Sequence, residues 1–152
     1  MPENNSQYDV IVIGAGVAGL YQLYKLRQLK LKVLVIEAGD NVGGTWYWNR
    51  YPGARFDSES WSYGYSFSRE LFEEWDWPEH FAAQPDTLRY LNYVADKFDL
   101  RRDINFNRRV KAALFNEKTN FWTVRTDTNE SFEARFLITA MGPLSAFTLP
   151  NI

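Results

Sequence analysis

Three glycines at fixed spacing stand where a predicted strand meets a predicted helix. The run from Tyr8 to Ile13 is rich in β-branched residues and predicts a buried parallel strand. Gly14-x-Gly16-x-x-Gly19 follows directly, and leucines then recur at helical spacing at positions 20, 23, 26 and 29. A second apolar run, from Lys32 to Glu37, predicts another buried strand, and the unit has the length of one β-α-β motif. This feature predicts an α/β fold built on a parallel sheet.

Each glycine has a physical role if the turn binds a dinucleotide. Gly14 makes the tight turn, Gly16 lets the backbone approach a pyrophosphate, and Gly19 lets the helix pack close to the strand. Glu37 ends the second strand, where a carboxylate accepts a hydrogen bond from a ribose 2′-hydroxyl and disfavours a 2′-phosphate. The pattern therefore predicts FAD or NAD rather than NADP, and it leaves the choice between FAD and NAD open. The alternative is an ordinary glycine turn with Glu37 at the surface.

The rest of the chain predicts a long loop, two helices and a small antiparallel sheet. No periodicity survives from Thr45 to about Arg69, and the many aromatic residues there favour a functional loop. A short helix is predicted from Glu70 to Trp75, and a longer one begins at Gln84-Pro85-Asp86. Its expected apolar face comprises Leu88, Leu91, Val94, Ala95 and Phe98. Strands are predicted at Val110 to Phe115, Phe121 to Thr126 and Ser131 to Arg135, as a meander, and at Phe136 to Ala140.

Composition excludes several classes of protein. The 152 residues suit one domain, and a net charge of −2 argues against a nucleic-acid partner. The sequence contains no cysteine, so disulfides and thiolate sites are excluded. His80 is the only histidine, and no metal site is expected. No apolar run is long enough to span a membrane and the first residues do not resemble a secretory signal, so a cytoplasmic location without membrane contact is expected.

A second glycine pair follows Glu37. Gly43-Gly44 suggests another close backbone approach to a ligand, with an ordinary turn as the alternative. The run Gly43-Gly44-Thr45-Trp46-Tyr47-Trp48-Asn49-Arg50-Tyr51-Pro52-Gly53-Ala54-Arg55-Phe56-Asp57 resembles the glycine–tryptophan–proline–aspartate motif of the type I Baeyer–Villiger monooxygenases, of the phenylacetone, steroid and cyclohexanone group. The resemblance extends from Tyr8 to Asn151 and includes Thr139-Ala140-Met141-Gly142, which is similar to the strand end that returns to FAD in such flavoproteins.

The resemblance implies a Rossmann-like FAD-binding domain and a set of site residues. Gly14, Gly16 and Gly19 would hold the pyrophosphate and Glu37 the adenosine ribose. Thr45 and Trp46 would lie near the flavin-side phosphates and ring, Tyr63 would contact FAD, and the Val110 backbone would meet the adenine. Asp57 would lie beside the flavin, pair with an arginine and serve catalysis, and a turn-capping aspartate is the alternative. The full implied set is Gly14, Ala15, Gly16, Gly19, Glu37, Gly44, Thr45, Trp46, Asp57, Tyr63, Val110, Ala140, Met141 and Gly142.

The resemblance also implies a reaction that this sequence covers only in part. In such enzymes NADPH reduces FAD, O2 gives a C4a-peroxyflavin, and the peroxide converts a ketone to an ester or lactone. The NADPH-binding glycine motif, its arginine and the C-terminal FAD segment are missing from these 152 residues. The chain is therefore expected to be the N-terminal part of the FAD-binding domain, with the remainder of the enzyme in the same or a second polypeptide, and to be inactive alone. An N- or S-hydroxylating flavoprotein and a stand-alone dinucleotide-binding module remain alternatives. A plain NAD dehydrogenase is a weaker one.

Overall fold

A computed structural model describes residues 6–146 and 148–152. Its helices are α1 (Val17–Gln28), α2 (Thr45–Trp48), α3 (Ser60–Tyr63), α4 (Arg69–Glu74) and α5 (Gln84–Lys97), with a 3₁₀ turn at Arg101–Asp103. Its strands are β1 (Ser6–Ile13), β2 (Val33–Ile36), β3 (Ile104–Asn105), β4 (Val110–Asn116), β5 (Phe121–Thr126) and β6 (Ser131–Thr139). They form one six-stranded sheet in the order β3-β2-β1-β6-β5-β4.

The first half of the sheet is parallel, as the sequence predicts. Strand β1 pairs in parallel with β2 on one side and with β6 on the other, and β2 pairs in parallel with β3. The order places β1 where the chain switches from one side of the sheet to the other. In open α/β sheets, ligands bind at such a point, outside the carboxyl ends of the strands.

The second half is the predicted antiparallel meander, with one correction. The expected strands Ser131 to Arg135 and Phe136 to Ala140 are a single strand, β6. Its first residues pair with β5, while the stretch from Phe132 to Thr139 pairs with β1. Phe132, for example, lies beside Val124 of β5 and Ser6 of β1. One continuous strand therefore joins the two halves, and the predicted fold class is confirmed.

The loop expected from Thr45 to about Arg69 is wrong in detail. It contains two one-turn helices, α2 and α3, and the start of α4. Helices of four residues are too short to show a periodic pattern, which is why periodicity missed them. The two-residue strand β3 was missed for the same reason. Leu29 lies just beyond α1 and is 69% exposed, so it is not part of that helix's buried face.

Two apolar clusters lie on opposite faces of the sheet. Val10 and Val12 of β1 pack with α1 and α5 on one face. Ile11 of β1 and Ile36 of β2 pack with Val124 on the other. Alternation along β1 thus buries both faces of the parallel strands, as their continuous apolar sequence requires. Among the described residues, no helix is long and apolar enough to cross a bilayer. The same residues contain no group of metal-ligating side chains.

Candidate cofactor site

A cavity of about 510 Å³ opens at the carboxyl ends of β1, β2 and β6, within the range of roughly 300–1,000 Å³ typical of ligand pockets. Eight sequence-predicted site residues line it: Gly14, Gly16, Glu37, Gly44, Thr45, Val110, Ala140 and Met141. These residues come from five separate parts of the sequence, and the fold brings them to one place. The cavity is where the topology predicts a ligand.

The glycine turn packs so tightly that side chains are excluded. A β-carbon at Gly19 would lie 1.8 Å from the carbonyl oxygen of Gly14. Helix α1 therefore packs directly on the turn, which is the role that the spacing predicts for Gly19. Gly14 itself faces the end of β6, where Ala140 N–H donates to the Ile13 carbonyl over 2.8 Å.

The second glycine pair lies against the first turn. Gly44 has φ +52°, and a β-carbon there would stand 2.7 Å from the α-carbon of Gly16. Gly43 N–H donates to the Ala15 carbonyl over 3.0 Å, which ties the two loops together. The pair was expected to approach a ligand, and Gly44 does line the cavity. Its nearest backbone neighbour in this structure is nevertheless Gly16.

The N-terminus of α1 is free of side-chain caps. Gly16 is the N-cap residue and cannot cap, and the first turn carries no acidic residue. The first N–H groups of a helix lack intrahelical partners and carry the positive end of the helix dipole. This terminus can therefore receive an anion such as a diphosphate, and Gly16 leaves space for its approach. The glycine turn and the uncapped helix fit the pyrophosphate of a dinucleotide.

Glu37 is buried, and its carboxylate holds two loops. One oxygen accepts from Ala15 N–H and the other from Gly39 N–H, each over 2.7 Å. The side chain is 5% exposed. A carboxylate has about four lone-pair positions, so acceptor capacity is left for a ribose hydroxyl. The predicted ribose contact is thus compatible with the structure and stays a prediction. The anchoring of both loops by Glu37 was not predicted.

Trp46 and Tyr63 form part of an aromatic core beside the cavity. Trp46 Nε1–H donates to the Tyr63 hydroxyl over 2.7 Å, and both rings contact Phe56. Burial raises the pKa of Tyr63. Trp46 is 7% exposed and neither residue lines the cavity, although Thr45 does. Their predicted contacts with a flavin stay predictions.

Asp57 lies on the surface, away from the cavity lining. In the part of the chain that the structure describes, its carboxylate makes no hydrogen bond or ion pair. No arginine of the described residues pairs with it in this structure. Gly142 also lies outside the lining, with φ +74°. Ala15 is buried beneath the turn.

Sequence reasoning missed five polar or aromatic residues of the cavity wall: Trp48, Asn49, Arg108, Arg109 and Ser145. Arg108 pairs with Glu130, and hydrogen bonds from Thr128 and Arg108 lower the pKa of that carboxyl. Arg109 is exposed and forms no ion pair with any described residue. The sequence could have indicated both arginines as cavity residues, because they directly precede Val110, whose backbone the resemblance places at the adenine.

Comparison with known proteins identifies the family. The model of the pyridine nucleotide-disulphide oxidoreductase family matches residues 11–152. The chain belongs to this family. Three curated relatives cover almost all of it: a 2-oxo-Delta(3)-4,5,5-trimethylcyclopentenylacetyl-CoA monooxygenase of Pseudomonas putida (53% identical, 95% of this chain), a phenazine N-monooxygenase of Lysobacter antibioticus (47%, 98%) and a cyclohexanone 1,2-monooxygenase of Acinetobacter (47%, 95%). The chain spans only 26–28% of the length of these relatives.

Solved structures of monooxygenases have the same fold as this chain. An oxidized steroid monooxygenase bound to NADP has a TM-score of 0.93 at 55% identity, and a complex of OTEMO with FAD and NADP has 0.90 at 52%. Each match covers 95% of this chain and 28% of the solved one. The resemblance to the Baeyer–Villiger monooxygenases is therefore confirmed, and the solved relatives share the fold.

Proposed function

We propose that the chain is the N-terminal part of the FAD-binding domain of an NADPH- and O2-dependent Baeyer–Villiger monooxygenase. Residues 1–152 bind the ADP half of FAD in the cavity at the carboxyl ends of β1, β2 and β6. The rest of the enzyme, in the same or a second polypeptide, supplies the NADPH site and the substrate pocket. The whole enzyme converts ketones to esters or lactones.

One observation carries the proposal: the predicted residues Gly14, Gly16, Glu37 and Gly44 converge on one cavity. That cavity has an uncapped helix N-terminus beside a buried carboxylate. A diphosphate and a ribose need these two features together. The relative solved with FAD and NADP has the same fold over this region.

The chain's own residues bind and orient the cofactor. Helix α1 places its N–H groups at the diphosphate, and Glu37 accepts from the ribose. The apolar wall formed by Ile13 and Ile36 excludes water from one side of the cavity. When bound, FAD supplies the redox chemistry between NADPH, O2 and the ketone. Asp57 acts only once the remainder of the enzyme brings an arginine to it.

The test uses the longer polypeptide of which this chain forms part. Purified with its flavin, it is given NADPH, O2 and cyclohexanone, and both NADPH consumption and lactone formation are measured. We expect lactone in a fixed ratio to NADPH consumed. Retained FAD without lactone from any of a panel of cyclic and linear ketones would overturn the reaction and leave the cofactor assignment standing.

A second candidate function has a specific observation in its favour. The chain is 47% identical both to a phenazine N-monooxygenase and to a cyclohexanone 1,2-monooxygenase. Overall identity over this portion therefore does not distinguish N-oxygenation from ketone oxidation. Phenazine offered in the same assay decides between them, because N-oxide formation without lactone supports the second candidate.

A stand-alone module is supported only if the 152-residue chain alone retains FAD while no longer polypeptide is made.

A further inference from the structure

A row of oxidisable side chains begins in the aromatic core beside the cavity and leads to the protein surface. Trp46 lies on the one-turn helix α2, between the cavity-lining residues Thr45 and Trp48. Its ring meets Phe56 edge-on with centroids 5.7 Å apart. Phe56 in turn meets Trp77 edge-on at 5.9 Å. Trp46 and Trp77 are thus joined through a single ring.

The row continues to the surface. Trp77 and Trp75 have centroids 5.9 Å apart, and Trp75 and Tyr93 have centroids 5.3 Å apart. Trp77 and Trp75 also contact the ring of Tyr90. Tyr93 is half-buried on α5, and its hydroxyl donates to Glu74 Oε2 over 2.6 Å.

Proton acceptors distinguish the members of the row. Loss of an electron makes a phenol strongly acidic, so a tyrosine is readily oxidised only where its proton has an acceptor. The Tyr90 hydroxyl accepts from Tyr65 N–H, and among the described residues no acceptor receives its proton. Tyr93 has the Glu74 carboxylate. Tyr93 donates to a carboxylate and Tyr90 does not. Loss of an electron is therefore most favourable at Tyr93, which is the last member of the row.

Trp75 has the properties of a relay. Its indole Nε1–H is buried and has no hydrogen-bond partner in the described part of the chain, so the ring keeps its proton after losing an electron. The Arg89 guanidinium lies 5.6 Å from the ring centroid and disfavours a lasting positive charge there. A hole that reaches Trp75 is therefore passed on to Tyr93.

We propose that Trp46, Trp77, Trp75 and Tyr93 form a hole-transfer path that carries oxidising equivalents from the aromatic core beside the cavity to the surface. The co-reactant is a one-electron oxidant at the cavity, such as a photoexcited flavin or an oxygen-derived radical. It takes one electron from Trp46, and electrons from Trp77, Trp75 and Tyr93 refill each ring in turn. In the last step the Tyr93 hydroxyl proton moves to Glu74 Oε2. The products are a neutral tyrosyl radical, a protonated Glu74 and a one-electron-reduced oxidant.

Lys97 and Glu70 are further charged groups at the exit. The Lys97 ammonium lies 2.7 Å from Glu74 and 2.9 Å from Glu70, and its hydrogen bond lowers the pKa of Glu74. A tyrosyl cation is a far stronger acid than any carboxylic acid, so Glu74 still accepts the proton. Glu70 hydrogen-bonds to Lys97 and its charge also acts on Tyr93, but it does not accept the Tyr93 proton, so Glu70→Gln controls for the loss of a negative charge at the exit.

Pulse radiolysis of the 152-residue chain in azide solution tests transfer into Tyr93, because the azide radical oxidises tryptophan in preference to tyrosine. Adding Trp77→Phe, which interrupts the row between Trp46 and Trp75, tests the earlier steps, and unchanged tyrosyl growth in that variant overturns them. The absorbances of the tryptophan and tyrosyl radicals are followed separately. Tyr47 must be removed first, since it contacts Trp48 and donates to Asp40 over 2.7 Å. All variants therefore carry Tyr47→Phe. This test involves no FAD, so its outcome is independent of the proposed function.

In the Tyr47→Phe background, we expect tyrosyl radical to grow at a first-order rate that does not depend on protein concentration. Adding Tyr93→Phe removes most of this growth, whereas adding Tyr51→Phe leaves it unchanged. Glu74→Gln slows the growth several-fold, and Glu70→Gln does not. Growth that survives Tyr93→Phe, or slows equally in both glutamate variants, overturns the proposal. Near-ultraviolet circular dichroism checks each fold, and if Tyr93→Phe disturbs it, the two glutamate variants decide.

Discussion

The α-carbon of Gly16 lies 2.7 Å from the point where a β-carbon on Gly44 would stand. Two loops that are far apart in sequence thus meet backbone to backbone at the wall of the cavity. Only a residue without a side chain fits there, since Gly44 also has a positive φ of +52°. The contact explains why a glycine pair follows Glu37.

Gly44→Ala is expected to destabilise the chain strongly and to abolish FAD binding. The positive φ in this sparsely populated backbone region alone costs an alanine about 1–3 kcal/mol. The clash with Gly16 adds an overpacking cost of roughly 1–3 kcal/mol and displaces the glycine turn. Urea unfolding followed by circular dichroism measures the first effect, and flavin fluorescence titration the second.

Gly53→Ala is the matched control for that substitution. Gly53 has φ +82°, and nothing lies within 4 Å of its would-be β-carbon. The free energy of unfolding of the Gly53→Ala variant should therefore fall only by the conformational cost of about 1–2 kcal/mol. Its affinity for FAD should not change. Equal losses in the two variants would show that the Gly16 contact contributes nothing.

Glu37→Gln is expected to weaken both the fold and FAD binding. Both carboxylate oxygens accept backbone N–H groups, and an amide would turn its NH2 group toward one of these donors. A buried donor left without an acceptor costs about 1–3 kcal/mol. Urea unfolding measures the loss, and exposed Glu117→Gln should be neutral. A variant as stable as the parent chain would mean that the carboxylate does not hold the loops.

The same substitution separates anchoring from ribose recognition. If Glu37 also accepts from the ribose, Glu37→Gln loses less affinity for the 2′-deoxyribose analogue of FAD than for FAD itself. Equal losses for the two ligands would show that Glu37 acts through the loops alone. Isothermal titration of both proteins with both ligands supplies the four values needed.

Stability is expected to fall at alkaline pH, and Tyr90 to contribute to the fall. Burial raises the pKa of Tyr90 from 10.0 to about 12. Between those values the unfolded chain releases this proton and the folded chain keeps it, so the free energy of unfolding decreases as pH rises. Tyr90→Phe should flatten this decrease, while exposed Tyr51→Phe should not. Urea unfolding at a series of pH values from 9 to 12 measures the free energy of unfolding of the parent chain and the two variants. If that free energy fell equally steeply with pH in all three proteins, the prediction would be contradicted.

Tyr90→Phe should also cost stability at neutral pH. The Tyr90 hydroxyl accepts the buried Tyr65 N–H over 2.7 Å. Removing it leaves that N–H without an acceptor, at about 1–3 kcal/mol. The urea midpoint at pH 7 measures this loss separately from the alkaline effect.

Asp57→Ala is expected to leave this chain unchanged and to reduce turnover in the longer enzyme. The side chain is exposed and within the described ranges it forms no hydrogen bond or ion pair. Its removal should change the free energy of unfolding by no more than about 0.5 kcal/mol. Turnover should fall while FAD content stays constant. A clear loss of stability in the 152-residue chain would instead support the turn-capping alternative.

The sequence alone determined the β-α-β unit, because its signals are local. The apolar runs around Val10 and Val35 and the spacing of Gly14, Gly16 and Gly19 each report on neighbouring residues. The long helix α5 was predictable in the same way, since it begins at a proline and has a periodic face. The meander was marked by its polar turns.

Tertiary structure decided what depends on contacts between distant residues. Nothing local to Ser131–Thr139 shows that one strand pairs with β5 and β1 at once. The sequence predicts that Glu37 ends a strand. Only tertiary packing buries its carboxylate between the backbone N–H groups of Ala15 and Gly39. The ring of Trp46 joined an aromatic core because Phe56 and Tyr63 fold onto it. A sequence pattern reports periodicity along one element, whereas burial and hydrogen-bond partners are set by elements that meet only when the chain folds.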